Sequence, residues 1–382
     1  MRLLAALAAC AFACASVPLA FAADTVGSSL DAGAPQIVDL TVRPSGADLA
    51  RVPGRGDSFA AVYDDRLGPS ALRYAERRDG QWKVRVIATT IDGRAVGREP
   101  TLAISRHGLR LAVFRTDIDL DDGEVANSTL YAARSSDGEH WLVERIDANG
   151  FGATPAFDGQ GRPAIAYLAR LDTTNAAEVR LAHFYDGAWH IETLARTTFR
   201  QAPSDANASS VGLALDRYLA LKVAYIDPAS HSVRLVGEDA HPQRFGTVPD
   251  SAARASLAFG INGEVGVVCA GLAGEDARLW VAKGRPGGVT RTFPAMGQSV
   301  SSAVIAGFSR GAPIVAFRDR HGAFVAVPGL RKYRSSLIAR AARYSASSPF
   351  NGAFGAARSS PGAIGVALVA NGALLVFAER DF

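Results

Sequence analysis

The sequence predicts an all-β fold: a seven-bladed β-propeller of four-stranded antiparallel blades, its ring closed by an N-terminal strand. Three observations predict it. A short apolar strand recurs along the chain, Asp-Gly turns follow its better-preserved copies, and the two chain ends supply complementary strands of one blade.

The recurring strand occupies residues 59–63, 111–114, 164–167, 222–225, 266–269, 314–317 and 365–368. Counted from the last residue of each copy, the spacings are 51, 53, 58, 44, 48 and 51. Blades of four strands repeat every 40–50 residues or so. A second element follows several copies. It reads Leu72-Arg73-Tyr74-Ala75 and then Asp79-Gly80-Gln81-Trp82, and its relatives carry Asp137-Gly138 before Trp141 and Asp186-Gly187 before Trp189. Asp-Gly between alternating runs marks a tight hairpin, because such turns need positive φ. The Trp that follows is expected to pack between neighbouring blades. A shorter strand precedes each apolar one, as in Pro100-Thr101-Leu102-Ala103-Ile104, so each unit has four strands, a to d, with a innermost.

Ring closure is read from the ends. The last unit runs out at Phe382 where a strand d is due, and Ile37-Val38-Asp39-Leu40-Thr41-Val42 stands alone before the first unit with the look of a strand d. Pairing the two leaves no open blade edge. A solenoid would need capped ends instead. An outer-membrane barrel would need apolar outward faces that these strands lack.

Domain organisation follows: residues 1–22 a signal peptide, 23–35 a flexible leader, 36–382 one propeller domain. Arg2, the apolar run 3–21 and the small-x-small site Ala20-Phe21-Ala22 are the three parts of a secretory signal. The expected location is therefore periplasmic or secreted. Leu7-Ala8-Ala9-Cys10 is similar to a lipobox, but cleavage there would leave residues 11–22, still apolar, on the mature chain. Of three cysteines, Cys10 and Cys14 leave with the signal, so Cys269 has no partner for an intramolecular disulfide. In the run Val267-Val268-Cys269-Ala270 it reads as a small buried hydrophobe. The formal charge of +4 becomes +3 once Arg2 is gone, and the charges are dispersed. That excludes a basic nucleic-acid footprint. No later apolar run reaches the ~20 residues of a spanning helix. A monomer is expected.

Gly161-Arg162-Pro163-Ala164-Ile165-Ala166-Tyr167 and Gly311-Ala312-Pro313-Ile314-Val315-Ala316-Phe317 carry a resemblance. These units resemble the propeller repeats of secreted bacterial proteins that read Gly-x-Pro-x-Ile-Ala-Tyr, Leu-x-Tyr-Ala and Asp-Gly-x-Trp. The likeness covers most of 36–382, more weakly 230–350. Ser135-Ser136-Asp137-Gly138-Glu139-His140-Trp141 is distantly similar to the Asp-box of sialidase-type propellers, one residue short, while a Phe-Arg-Ile-Pro segment is missing. The resemblance implies architecture, since one fold hosts many chemistries.

In an a-to-d blade, the b–c and d–a connections share one face, and here that face collects charge. Asp64, Arg98, Arg115, Asp227, Arg318 and Asp319 are the candidate ligand-binding residues. The plainer alternative is that such charges solvate loops or pair with one another. In the acidic loop, Asp117, Asp119 and Asp121 alternate before Gly123 and could converge on Ca²⁺, which takes 6–8 oxygen ligands. The loop has one residue too many and no distal Glu for the standard calcium motif. The seven His are scattered, and no nucleophile signature is present. The expected function is non-catalytic binding of a glycan, peptide or partner protein on the b–c face. The alternative is a glycan-active hydrolase or lyase whose acid and base, from Asp64, Asp227, Asp319 and His321, meet near the axis.

Overall fold

The computed structural model describes residues 36–39, 46–53, 59–65, 70–78, 81–116, 129–171, 175–200, 209–238, 241–271, 278–284, 291–297, 299–300, 302–309, 311–319, 322–328, 333–340, 354–358, 364–370 and 373–379. The expected signal and leader, and the acidic loop with Asp117, Asp119 and Asp121, lie outside them. Among the described residues no helix is long and apolar enough to cross a membrane.

The first sheet runs β2 (Ala47–Arg51), β3 (Phe59–Asp65), β4 (Ala71–Arg78), β5 (Gln81–Ala88). The second contains β6 (Thr90–Ile91), β7 (Arg94–Ile104), β8 (Arg110–Thr116), β9 (Leu130–Ser135) and β10 (Leu142–Asp147). The third holds β11 (Gly150–Phe157), β12 (Pro163–Arg170), β13 (Ala176–Tyr185) and β14 (Ala188–Thr198). The fourth holds β15 (Gly212–Leu215), β16 (Leu221–Asp227), β17 (Ser232–Gly237) and β18 (Gln243–Thr247). Next come β19 (Arg254–Phe259), β20 (Val265–Ala270), β21 (Leu279–Gly284) and β22 (Arg291–Met296), then β23 (Ser302–Ser309), β24 (Ala312–Asp319), β25 (Gly322–Pro328) and β26 (Tyr333–Arg340). The last sheet joins β27 (Phe354–Arg358), β28 (Ile364–Ala370) and β29 (Ala373–Glu379) to β1 (Gln36–Asp39), with Ile37 opposite Leu375 in an antiparallel register.

The expectation of seven four-stranded blades is corrected. Among the described residues there are six four-stranded antiparallel blades, not seven; the sheet that departs is five-stranded, in the order β10-β9-β8-β7-β6. Its cause is an additional Asp-Gly hairpin. Asp92 and Gly93 have φ of 51° and 75° and fold β6 back on the start of β7. Those two positive φ values are what a type I′ turn requires. Asp186 and Gly187, at 51° and 79°, make the hairpin that the sequence predicts between β13 and β14.

The innermost strands touch in sequence from β2 through β7, β11, β15, β19 and β23 to β27, and β27 touches β2, so the strands encircle an axis. The core lies between blades. One cluster joins Leu111, Val113 and Leu130 of the second sheet to Ile165 and Tyr167 of the third. Another joins Val268 and Leu279 to Val315 and Phe317. Every residue of β3, β8 and β20 is buried, as a strand covered on both faces must be. The recurring strand ends in Tyr63, Phe114, Tyr167, Tyr225 and Phe317, all essentially inaccessible, with Cys269 at the same place in the fifth sheet. Burying such a side chain is worth about 1.5–3 kcal/mol. Trp141 lies edge-on to Tyr74 of the first sheet at 5.1 Å between ring centres, and Trp189 donates through Nε1 to Glu144 of the second at 3.2 Å. The Trp therefore reaches back to the preceding blade, as its place in the repeat suggests.

Candidate functional site: the axial cavity

Pairing with the recurring strand aligns the inner strands. Asp48 lies opposite Val62, Thr101 opposite Val113, Thr154 opposite Ala166, Gly212 opposite Ala224, Ser256 opposite Val268 and Val304 opposite Ala316. Each partner is the penultimate residue of its copy, so these six positions are equivalent. Two residues earlier stand Gly46, Glu99, Gly152, Ser210, Arg254 and Ser302. Both sets line one cavity of about 230 Å³ at the centre of the ring.

The first set clamps blade to blade. Asp48 accepts the Leu102 amide at 2.8 Å, Thr101 donates to the Ala153 carbonyl at 3.4 Å and Thr154 donates to the Val211 carbonyl at 2.6 Å. Ser256 accepts the Ile305 amide at 3.2 Å. Polar side chains are thus used where a wall of backbone edges needs partners.

The earlier set carries the charge. Strand β7 is irregular on both sides of Arg98, and within this kink Gly97 has φ of 103° and Glu99 a φ of 50°. Bulges of this kind re-aim side chains and are over-represented beside functional sites. Here they bring Arg98 and Glu99 to the cavity. Gly97 is needed for a close approach as well, because a Cβ there would sit 2.8 Å from that of Asp64. The Glu99 carboxylate accepts the Gly152 amide at 3.2 Å and lies 3.3 Å from the Arg115 guanidinium behind it. Arg254 is the equivalent residue three blades on. Burial pulls its guanidinium below the usual value, and the charge of Glu99 opposes that pull. Asp48 keeps some accessible surface because it faces the cavity, yet protein surrounds the cavity itself. Burial raises its carboxyl to about 6, against the opposing effect of amide bonds from Leu102 and Leu49. The site thus holds two carboxylates, two guanidinium groups and several hydroxyls around a small hollow.

Of the residues singled out in the sequence, Arg98 lines this cavity. Asp64 and Arg115 stand directly behind its wall. Asp64 accepts the Gly46 amide at 2.7 Å, and Arg115 faces Glu99. Asp227 is held by its own blade, accepting from Ser230 Oγ at 2.6 Å and lying 3.1 Å from Arg234 Nε. Arg318 is opposite Ser302 in the ladder, and Asp319 is buried beside it in β24. His321 lies outside the described residues. Asp48, Glu99 and Arg254 are not among the candidates the sequence singles out. Their signal is the strand-a alignment itself, Gly46-Ala47-Asp48-Leu49-Ala50 beside Glu99-Pro100-Thr101-Leu102-Ala103 and Arg254-Ala255-Ser256-Leu257-Ala258. Cys269 is buried and burial pushes its thiol up, so it offers no thiolate. The Asp-box-like turn is structural. Asp137 Oδ1 accepts the amides of Glu139 and His140 at 2.7 and 2.9 Å, and Gly138 has φ of 78°.

No family model matches the chain, and no curated protein matches it. Solved structures do. A protein of unknown function from Dyadobacter fermentans DSM 18053 aligns with a TM-score of 0.56 at 12% identity, over 91% of this chain and 99% of that one. Virginiamycin B lyase from Staphylococcus aureus aligns with a TM-score of 0.54 at 10% identity, again over 91% and 99%. An α-L-arabinanase from Penicillium chrysogenum, solved with arabinobiose, aligns with a TM-score of 0.49 at 14% identity over 76% and 94%. At these identities the likeness is one of fold, a distant propeller relationship.

Proposed function

We propose that this is an exported, non-catalytic binding propeller that holds the end of a glycan or a similar hydroxyl-rich ligand in the axial cavity, entered from the b–c face. One observation carries the reading: six equivalent inner-strand positions present Glu99, Arg254 and small residues toward one central hollow. Strand a begins at the d–a connection, so the charged set lies nearer the b–c face than the clamps. Carboxylates and guanidinium groups fixed close together supply both acceptors and donors, which is what a polyol needs. A hollow of about 230 Å³ lies below the ~300–1,000 Å³ of drug-sized ligand pockets. One or two sugar rings suit that size better than a folded partner.

The test is a glycan array followed by calorimetry with the ligand it identifies. Binding is expected to fall at least tenfold in Arg254→Met and in Glu99→Gln, and to survive Asp227→Asn. Undiminished binding in both axial variants would remove the cavity from the reading.

A second reading rests on Asp48. A carboxyl raised to about 6 is poised for proton transfer near neutral pH, as a glycan-active hydrolase or lyase would need. Release of reducing ends or unsaturated products from the bound glycan, abolished by Asp48→Asn, would select this reading over simple binding.

A further inference from the structure

On the flank of the ring, well apart in sequence from the axial residues, three metal-ligating side chains from two blades meet. His183 is in β13 and Glu192 in β14, and the ladder sets His183 opposite His190 and Leu181 opposite Glu192. Glu192 is therefore a diagonal neighbour of His183 on the same face of the hairpin. Glu238 follows β17 of the next blade. His183 Nε2 lies 2.9 Å from a Glu238 carboxylate oxygen and 4.0 Å from one of Glu192. All three ligand atoms lie within 4.8 Å of one another.

Two features separate this from an ordinary ion pair. The His183 side chain is only 13% exposed, and its Nε2 is covered without a well-directed hydrogen bond to either carboxylate. A bare lone pair on that nitrogen would repel the two carboxylates it faces, so a cation, either a proton on the ring or a metal ion, belongs between them. Both glutamates, in contrast, are about half-exposed, at 46% and 45%, so they can rotate. Lys222, opposite Gly237 in the ladder, carries its ammonium beside that glycine.

We propose that His183, Glu192 and Glu238 bind a divalent transition-metal ion of the zinc class, which staples the third and fourth blades together. Imidazole with carboxylates suits Zn²⁺, whose bonds of about 2.0–2.2 Å put tetrahedral ligands about 3.4 Å apart. The present spacings bracket that value, so closure needs only a rotation of the two exposed carboxylates. Three protein ligands leave the fourth position to solvent. Mg²⁺, which prefers oxygen ligands and its own water, fits poorly.

The experiment is calorimetric titration of ZnCl2 into the chelator-stripped protein, with melting curves at each metal level. One bound equivalent is expected, with a rise in Tm, and MgCl2 should give neither. His183→Ala, Glu192→Gln and Glu238→Gln should each weaken zinc binding tenfold or more and shrink the Tm rise. Glu238→Gln changes an exposed side chain and keeps the test readable if His183→Ala folds poorly. No zinc binding by the unmodified protein, or equal binding by all three variants, would overturn the proposal.

Discussion

Glu99 and Gly152 occupy equivalent left-handed positions in adjacent inner strands, with φ of 50° and 59°, and the Glu99 carboxylate accepts the Gly152 amide at 3.2 Å. One blade fills the position with the residue that tolerates it, the other with a charged side chain aimed at the axis. A non-glycine residue there costs about 1–2 kcal/mol, and strained backbone of this sort clusters at functional sites.

The pair predicts very unequal costs on substitution. Glu99→Gly should change unfolding free energy by no more than ~1 kcal/mol, because relief of the backbone offsets the lost contacts to Arg115 and Gly152. Gly152→Ala should be far worse, since a Cβ there would meet the Ser209 carbonyl oxygen at 2.1 Å. A loss above ~3 kcal/mol is expected, read by urea denaturation.

Asp48 predicts a pH signature. Its folded carboxyl titrates at about 6, above the ~3.9 of an unfolded Asp. The folded state therefore holds this proton more tightly, and the stability tied to it is present below about pH 4, falls between about pH 4 and 6, and is level above that. Other carboxylates move the opposite way: Glu76, Asp158 and Glu178 are held below their usual range in spite of desolvation by hydrogen bonds and nearby arginines. The readout is thus a difference. Relative to the unmodified protein, Asp48→Asn should gain Tm as pH rises from 4 to 6 and no further above it.

A buried network joins the first and second sheets on the side away from the charged axial set. Arg110 donates to Glu76 at 2.8 Å and to the Tyr74 hydroxyl at 3.0 Å, and Tyr74 donates to Glu76 at 2.8 Å. The Arg110 and Glu76 side chains are 7% and 2% exposed. Burial pushes the Tyr74 hydroxyl well above its ordinary value, so it stays a donor. Arg78 lies 3.3 Å from the same Glu76 oxygen and still faces it when Arg110 is removed, so Arg110→Ala should cost about 1.5–3 kcal/mol. The double variant Glu76→Gln with Arg110→Met should recover part of that loss in denaturant midpoints.

Closure by β1 predicts a cooperative effect. Val38 is buried against Tyr63 and the partly buried Trp82 of the first sheet, while its strand pairs with β29 of the last. Deleting residues 36–39 removes both links and bares a sheet edge. Tm should fall by several degrees or more, with association visible in sedimentation. Deleting residues 24–35 should leave the melt unchanged.

The β-propeller class, its four-stranded repeat and the closing strand were legible in the chain because strand periodicity and Asp-Gly turns are local signals, repeated often enough to be read without coordinates. The conformations around Asp186-Gly187 and the backward reach of Trp141 and Trp189 follow from the same signals. The fifth strand of the second sheet carried a signal too, Asp92-Gly93, but the regular repeat left no place for it. What only tertiary structure decided was which side chains share the axis. Asp48, Glu99 and Arg254 stand far apart in sequence and have unremarkable neighbours. They meet because ladder register places equivalent residues of successive inner strands on one ring, and because the bulge in β7 turns Glu99 inward. Register depends on pairing between strands and on the closing of the ring, and those contacts are not written in any one segment of the chain.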